Sequence, residues 1–187
     1  MKQLPALSVA EVFSERLLLR RALHDGDREG LVELSTDPEV QTYIGGPRPL
    51  GEVERHFDEV MASGATTRPG NYVIADNTTN QVIGTLMLAR WWTDHPQRVT
   101  EDGEELVLGY VLRRGAWGAG YAFEAATAAL RAAAEEFPDQ PVVLVTQTAN
   151  KRSLKLAERL GFHLTTTFEE FDAEQALCVT RLSTFKA

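Results

Sequence analysis

Two rhythms of apolar residues alternate along this chain, and they meet most densely at 106–137. Residues 106–112, LVLGYVL, form an apolar run of strand length broken only by Gly109. Gly115, Gly118 and Gly120 follow. Then Phe123, Ala126, Leu130, Ala133 and Phe137 recur at spacings of three and four, which predicts a helix from Ala122 with one buried face. The alanines between them favour a helix, and Pro138 stops it. The same order repeats at once. Residues 142–147, VVLVTQ, predict a second buried strand. Asn150 as N-cap opens a helix with Leu154, Ala157 and Leu160 on one face, and Gly161 at C′ with Phe162 beyond it closes that helix.

The flanking pattern predicts an arm or edge segment over 1–13 and a short strand over 17–20. A helix follows over 25–35 with Leu31 and Leu34 inward. Asp37-Pro38 begins a short helical piece through Tyr43. After a Gly-Gly-Pro loop, Val53, Phe57 and Val60 mark one face of a helix ending near Ser63. Strands are expected at 72–75 and 82–89 around a turn at 76–80, then a polar loop over 91–103. Strands at 164–171 and 176–182, joined by a DAEQ turn, end the chain. No repeat is visible, and the order predicts one α/β domain over 1–187 with a mixed sheet.

Composition narrows the function. With 187 residues, 43% hydrophobic and 25% charged, the chain reads as an ordinary globular protein with a substantial core. No apolar run approaches a membrane span, and the N-terminus lacks the apolar stretch of a secretory signal. One cysteine, Cys178, forms no internal disulfide, which suits a reducing cytoplasm. A net charge of −8 argues against nonspecific nucleic-acid binding and would steer cationic partners. The four histidines lack metal-ligand spacing, so no metal is expected.

The candidate chemistry lies where the glycines meet the helix. A helix N-terminus exposes unpaired N–H groups at the positive end of its dipole, and glycines let a ligand approach the backbone. Residues 118–122 therefore read as a phosphate-binding turn. A dinucleotide fingerprint needs a third glycine where this chain has Phe123. Its acid would be Asp139, which sits in a Pro-flanked turn.

The two strand–helix segments together resemble the GNAT superfamily of acetyl-coenzyme A-dependent N-acetyltransferases. The family signature Arg/Gln-x-x-Gly-x-Gly/Ala falls on Trp117, Gly118, Ala119, Gly120, Tyr121 and Ala122, with Trp117 replacing the usual Arg or Gln. The WGAGYA form, the NxxSxxxxxxLGF form at 150–162 and the opening SERLLLRRALHDGD resemble the branch that includes ribosomal-protein N-terminal acetyltransferases. The resemblance implies a GNAT-like, mostly antiparallel sheet with one splayed parallel strand pair, flanked by helices. It implies acetyl-coenzyme A as co-substrate, gripped by residues 117–122, with its pantetheine arm between the two parallel strands. Backbone groups of Val111, Leu112 and Arg113 would be free for that arm, and Asn150 would touch it. Arg113 and Arg114 would add charge near the phosphates.

Acetyl transfer to an amine requires no protein nucleophile, and Cys178, the sole thiol, reads as a buried structural cysteine, so direct attack by the amine is expected. The tyrosine that many members place four residues beyond Ser153 is Ala157 here, and the glutamate they place before the strand glycine is Val107. Ser153 is then the candidate proton donor to the thiolate. Glu105, on the same strand face as Val107, is the candidate base; a water chain is the other route. Tyr43, Trp91 and Trp92 are expected to line the acceptor pocket, where Asp94 would meet a cationic amine. The missing Tyr and Glu leave open a non-catalytic acyl-coenzyme A-binding sensor. The exposed edge of the C-terminal hairpin offers a route to a homodimer.

Overall fold

The structure, a computed structural model, describes residues 6–92, 99–101 and 104–186, with the main chain alone at 91 and 92. The elements run β1 (Glu11–Phe13), β2 (Leu17–Arg20), α1 (Arg28–Thr36), α2 (Leu50–Ala62), β3 (Asn71–Asp76), β4 (Val82–Trp92) and β5 (Glu104–Leu112). They continue with α3 (Tyr121–Glu136), β6 (Pro141–Gln147), α4 (Lys151–Arg159), β7 (His163–Glu170) and β8 (Ala173–Arg181). The strands form one eight-stranded sheet in the order β1-β2-β3-β4-β5-β6-β8-β7. Every neighbouring pair is antiparallel except β5 and β6. This is the mixed, helix-flanked sheet expected from the sequence.

Strand alternation distributes the core over both faces. Tyr72, Ile74, Leu86, Leu88, Leu106 and Leu108 point to one face and pack under the small stripe Ala125, Ala126, Ala129, Leu130 and Ala133 of α3. Val73 and Val111 point to the other, where Leu31 and Leu34 of α1 and Val60 of α2 cover them. One ion pair is sealed inside. Arg20 and Asp27 are 1% and 2% exposed and meet through two hydrogen bonds of 2.8 and 2.7 Å, which tie β2 to the start of α1.

Three local expectations change. Residues 38–45 are a chain of turns rather than a helix. The Asp37 side chain accepts from the Glu39 N–H at 2.8 Å, an Asx turn that competes with the helical pattern, and Gly45 and Gly46 take positive φ. The β4–β5 ladder runs out to Trp91↔Glu105 and Trp92↔Glu104, longer than the apolar runs alone suggested. The last hairpin turns on Phe171 and Asp172, with φ of +52° and +56°, so Ala173, Glu174 and Gln175 are strand and not turn.

Candidate active site

The parallel pair holds together only at Leu106↔Val142 and Val107↔Val143. Beyond those rungs β6 follows β8, from Leu144↔Cys178 to Gln147↔Gln175, while β5 follows β4 to Leu112↔Gly84. A wedge therefore opens between 108–112 and 144–147. Ladder parity decides which backbone groups face it. The Arg113 N–H donates to Ile83 O at 2.9 Å, and the Leu88 N–H donates to Gly70 O at 2.7 Å. In an antiparallel ladder such pairs alternate. The odd residues of β5, Val111 and Arg113 among them, are thus turned to β4, while Tyr110 and Leu112 turn their main-chain groups into the wedge. The expectation of free groups at all of Val111, Leu112 and Arg113 narrows to the Leu112 N–H, since the Trp117 indole takes the Leu112 carbonyl, joined by the main chain of Tyr110. The indole of Trp117 closes the far end of β5, its Nε1 donating to Leu112 O at 3.0 Å.

The glycine turn abuts this end. Gly118 and Gly120 have φ of +78° and +84°, left-handed values that glycine tolerates and that swing the chain into α3. Gly120 is the N-cap and provides no capping side chain. No described residue accepts a hydrogen bond from the main-chain N–H groups of residues 118–123, so they present a run of open donors with the helix dipole behind them. Arg16 props the turn from its other side, donating to Ala119 O at 3.1 Å and lying over the Tyr121 ring at 4.4 Å. Arg152, at the start of α4, lies over Trp117 at 4.8 Å and meets no carboxylate among the described residues.

On the other wall, α4 begins with Asn150, whose Oδ1 accepts from the Ser153 N–H at 3.2 Å while its Nδ2 donates to Thr146 Oγ1 at 3.2 Å. This is the cap the sequence called for, and it ties the helix start to β6. The Ser153 hydroxyl lies 2.8 Å from Tyr110 Oη. Burial raises the Tyr110 phenol above its ordinary value, and the hydrogen bond with Ser153 only partly offsets this. Tyr110 escapes a sequence reading because an aromatic residue within an apolar strand looks like core. Its one distinguishing signal is position: it follows Gly109 and stands where β6 departs.

The other expected site residues scatter. The guanidinium of Arg113 pairs with Glu33 of α1, and Arg114 pairs with Glu39 at 2.8 Å, so both are drawn to the opposite face from the glycine turn. The cations that stand beside it are Arg152, over Trp117, and Arg16, on the carbonyl side of the turn. Glu105 is 2% exposed, and its Oε1 accepts from the main-chain N–H groups of Val99 and, at 3.1 Å, Thr100. That carboxylate holds a loop and does not face the wedge as a base would. Tyr43 is 36% exposed within the 38–45 turns and borders the groove on the α1–α2 side. The side chains of Trp91 and Trp92, and all of Asp94, lie outside the described residues. Cys178 is buried, which pushes its thiol up, and it packs in the core. Among the described residues no cluster of His, Cys, Asp or Glu could hold a metal ion. No helix among them is long and apolar enough to cross a membrane.

Comparison with known proteins gives the family and supports the fold. Residues 16–163 match the family model described as the acetyltransferase (GNAT) domain. An uncharacterised Bacillus subtilis protein, YkkB, is 25% identical over 163 residues, covering 87% of this chain and 90% of its own. A GNAT-family acetyltransferase from Bacillus anthracis superposes with a TM-score of 0.74 at 19% identity, covering 92% of this chain and 99% of that one. A spermidine N-acetyltransferase from Vibrio cholerae, solved with CoA and spermine, superposes with a TM-score of 0.67 at 17% identity over 92% of this chain and 99% of its own.

Proposed function

This chain belongs to the acetyltransferase (GNAT) domain family, and from that premise we propose that it moves an acetyl group from acetyl-coenzyme A to a primary amine by direct attack. The acceptor is a protein N-terminus or a small-molecule amine, as the WGAGYA and NxxSxxxxxxLGF forms of the motifs suggest. The observation that carries this reading is the continuity of two openings. The unpartnered N–H groups of residues 118–123 lead directly into the wedge between β5 and β6. A diphosphate followed by an extended amide-bearing arm needs those two features in that order.

The residues present fit such a molecule. The N–H groups from Gly118 to Ala122 hold the diphosphate, with Arg152 beside them. The outward main-chain groups of Tyr110 and the N–H of Leu112 meet the arm's amides, and Asn150 fixes the far wall. When bound, acetyl-coenzyme A supplies the activated thioester. The chain positions it and places Ser153 to protonate the departing sulfur. Glu105 is occupied elsewhere, so water in the groove takes the amine's proton.

Calorimetry with coenzyme A and its acetyl form tests the binding. Thiol release over peptides beginning with Ala or Ser, polyamines and aminoglycosides tests the transfer. Saturable binding together with release on at least one amine is the expected result. Binding without release on any amine would instead make the chain an acyl-coenzyme A sensor, and no binding would refute the reading altogether.

A further inference from the structure

Two hydroxyls, one from β5 and one from α4, meet across the wedge at 2.8 Å. Their elements reach this point from opposite walls. Tyr110 points to the α3 face with Leu108 and Leu112, at the depth where β6 has already left β5. Ser153 lies in the first turn of α4, held there by the Asn150 cap. Both border the groove that runs from the glycine turn. A pair of hydroxyls sharing one hydrogen bond leaves one O–H free. The phenol is by far the stronger acid of the two, so it donates to Ser153 Oγ, and the serine proton is the one left to point into the groove.

We propose that Tyr110 is the proton reservoir of this site, a positioning residue that acts through Ser153 on the sulfur leaving the thioester. The proposal rests on the acetyl-transfer reading. As the C–S bond breaks, Ser153 Oγ–H passes its proton to sulfur and Tyr110 Oη–H passes its own to Ser153 Oγ. The phenolate then recovers, through the groove water that accepts it, the proton the amine nitrogen sheds on becoming an amide. The sum is one amine and one thioester giving one amide and one thiol. Burial keeps the phenol protonated through the neutral range, ready to donate. The charged groups of α4 that border the same groove are Lys151 and Arg152, exposed on its first turn, and Arg159, exposed and lying over the Phe123 ring at 4.7 Å. Leu108 and Leu112 of β5 and Leu144 and Thr146 of β6 bring no charge to it.

The proposal predicts a signature that needs no turnover. A free O–H aimed at the sulfur stabilises a thiolate, so the thiol of bound coenzyme A titrates below that of free coenzyme A. The difference is about tenfold or more in its acid constant. Thiolate absorbance measures this, with the desulfo-coenzyme A complex as blank. Tyr110→Phe, Ser153→Ala and the double variant each return most of that shift while binding coenzyme A within about twofold of wild type. With an accepted amine each loses kcat by a similar factor of about 10² or more, and the double loses no more than the singles. The alkaline limb of the kcat profile that reports the phenol disappears in Tyr110→Phe.

An unshifted thiol in the wild-type complex overturns the relay and leaves the acetyl-transfer reading intact. So does a Tyr110→Phe enzyme within twofold of wild type in kcat. Absence of coenzyme A binding overturns both. Should Tyr110→Phe fail to fold, fluorotyrosine at position 110 decides the matter: its more acidic phenol moves the alkaline limb of kcat to lower pH, and an unmoved limb overturns the relay.

Discussion

Arg16 and Glu124 are locked together across 108 residues of sequence. The Arg16 guanidinium and its main-chain N–H each lie 2.7 Å from a Glu124 carboxylate oxygen, and Ser14 Oγ donates to the same carboxylate at 2.7 Å. Glu124 is in the first turn of α3, so this latch fastens the loop entering β2 to the helix whose open N–H groups face the groove. The same guanidinium reaches Ala119 O at 3.1 Å. The glycine turn is therefore held by its carbonyl side, which leaves its N–H side outward.

Glu124→Gln tests the latch through its pH dependence. Burial alone would raise the Glu124 carboxyl, but the hydrogen bonds from Arg16 and Ser14 outweigh it and hold the group below its ordinary value. A depressed carboxyl contributes stability above the unfolded value, about 4.3, and the contribution is lost as pH falls through the lower folded value. The variant should melt a few degrees below wild type at pH 7, a loss of about 1 kcal/mol. The two melting curves should converge once pH has fallen below that lower folded value. A gap that persists into acid would mean that the carboxylate's charge is not what matters.

Gly120→Ala separates turn geometry from fold. A Cβ there meets nothing nearer than Arg16 Nη2 at 3.6 Å, so no clash arises. The φ of +84° nevertheless costs an L side chain about 1 kcal/mol. A variant that relaxes its φ to negative values turns the N–H groups away. Calorimetry should show coenzyme A binding weakened about tenfold, with helix content unchanged by circular dichroism.

Asp27→Ala removes one half of the buried pair and strands Arg20 at 1% exposure. Uncompensated buried charge costs about 3–5 kcal/mol. Urea denaturation should show that loss as a lower midpoint with an unchanged slope. The site lies elsewhere, so coenzyme A affinity of the folded fraction should not move.

Tyr72 predicts an alkaline weakness. Burial pushes its phenol up to about 12, and its Oη donates to Val9 O at 2.7 Å. A raised value means that the folded state keeps the proton. The contribution is complete below about pH 10, where the unfolded phenol titrates, and fades as pH climbs toward about 12. Chemical denaturation of wild type should lose stability across that interval. Tyr72→Phe should start lower and show a shallower decline.

Much of this fold was legible because the signals are local. The Phe123–Phe137 stripe, the Asn150 cap and Gly161 at a φ of +83° each act within a turn or two of themselves, and each is found as read. What stayed hidden depends on partners far along the chain. Which of Tyr110 and Val111 faces the wedge is decided by the register of β5 against β4. Alternation within β5 says only that they differ. Tyr110 meets Ser153 across 43 positions, and no spacing rule covers such a pair. Glu105 shares a strand face with Val107 as expected, yet the backbone of residues 99 and 100 folds over its carboxylate. The turns at 38–45 were misread because Asp-Pro opens an Asx turn as readily as a helix.

The two rungs at Leu106↔Val142 and Val107↔Val143 make the sheet a pair of wings with one short seam. Strands β1 to β5 form one wing and β6 to β8 the other, and α3 is the connection between them in sequence. Anything that fills the cleft contributes the cross-strand bonding the backbone omits there, so cargo acts as mortar for the fold. The amides of β6 should then slow in hydrogen exchange on loading more than those of β3, and the loaded protein should unfold as one block where the empty one yields first along the seam.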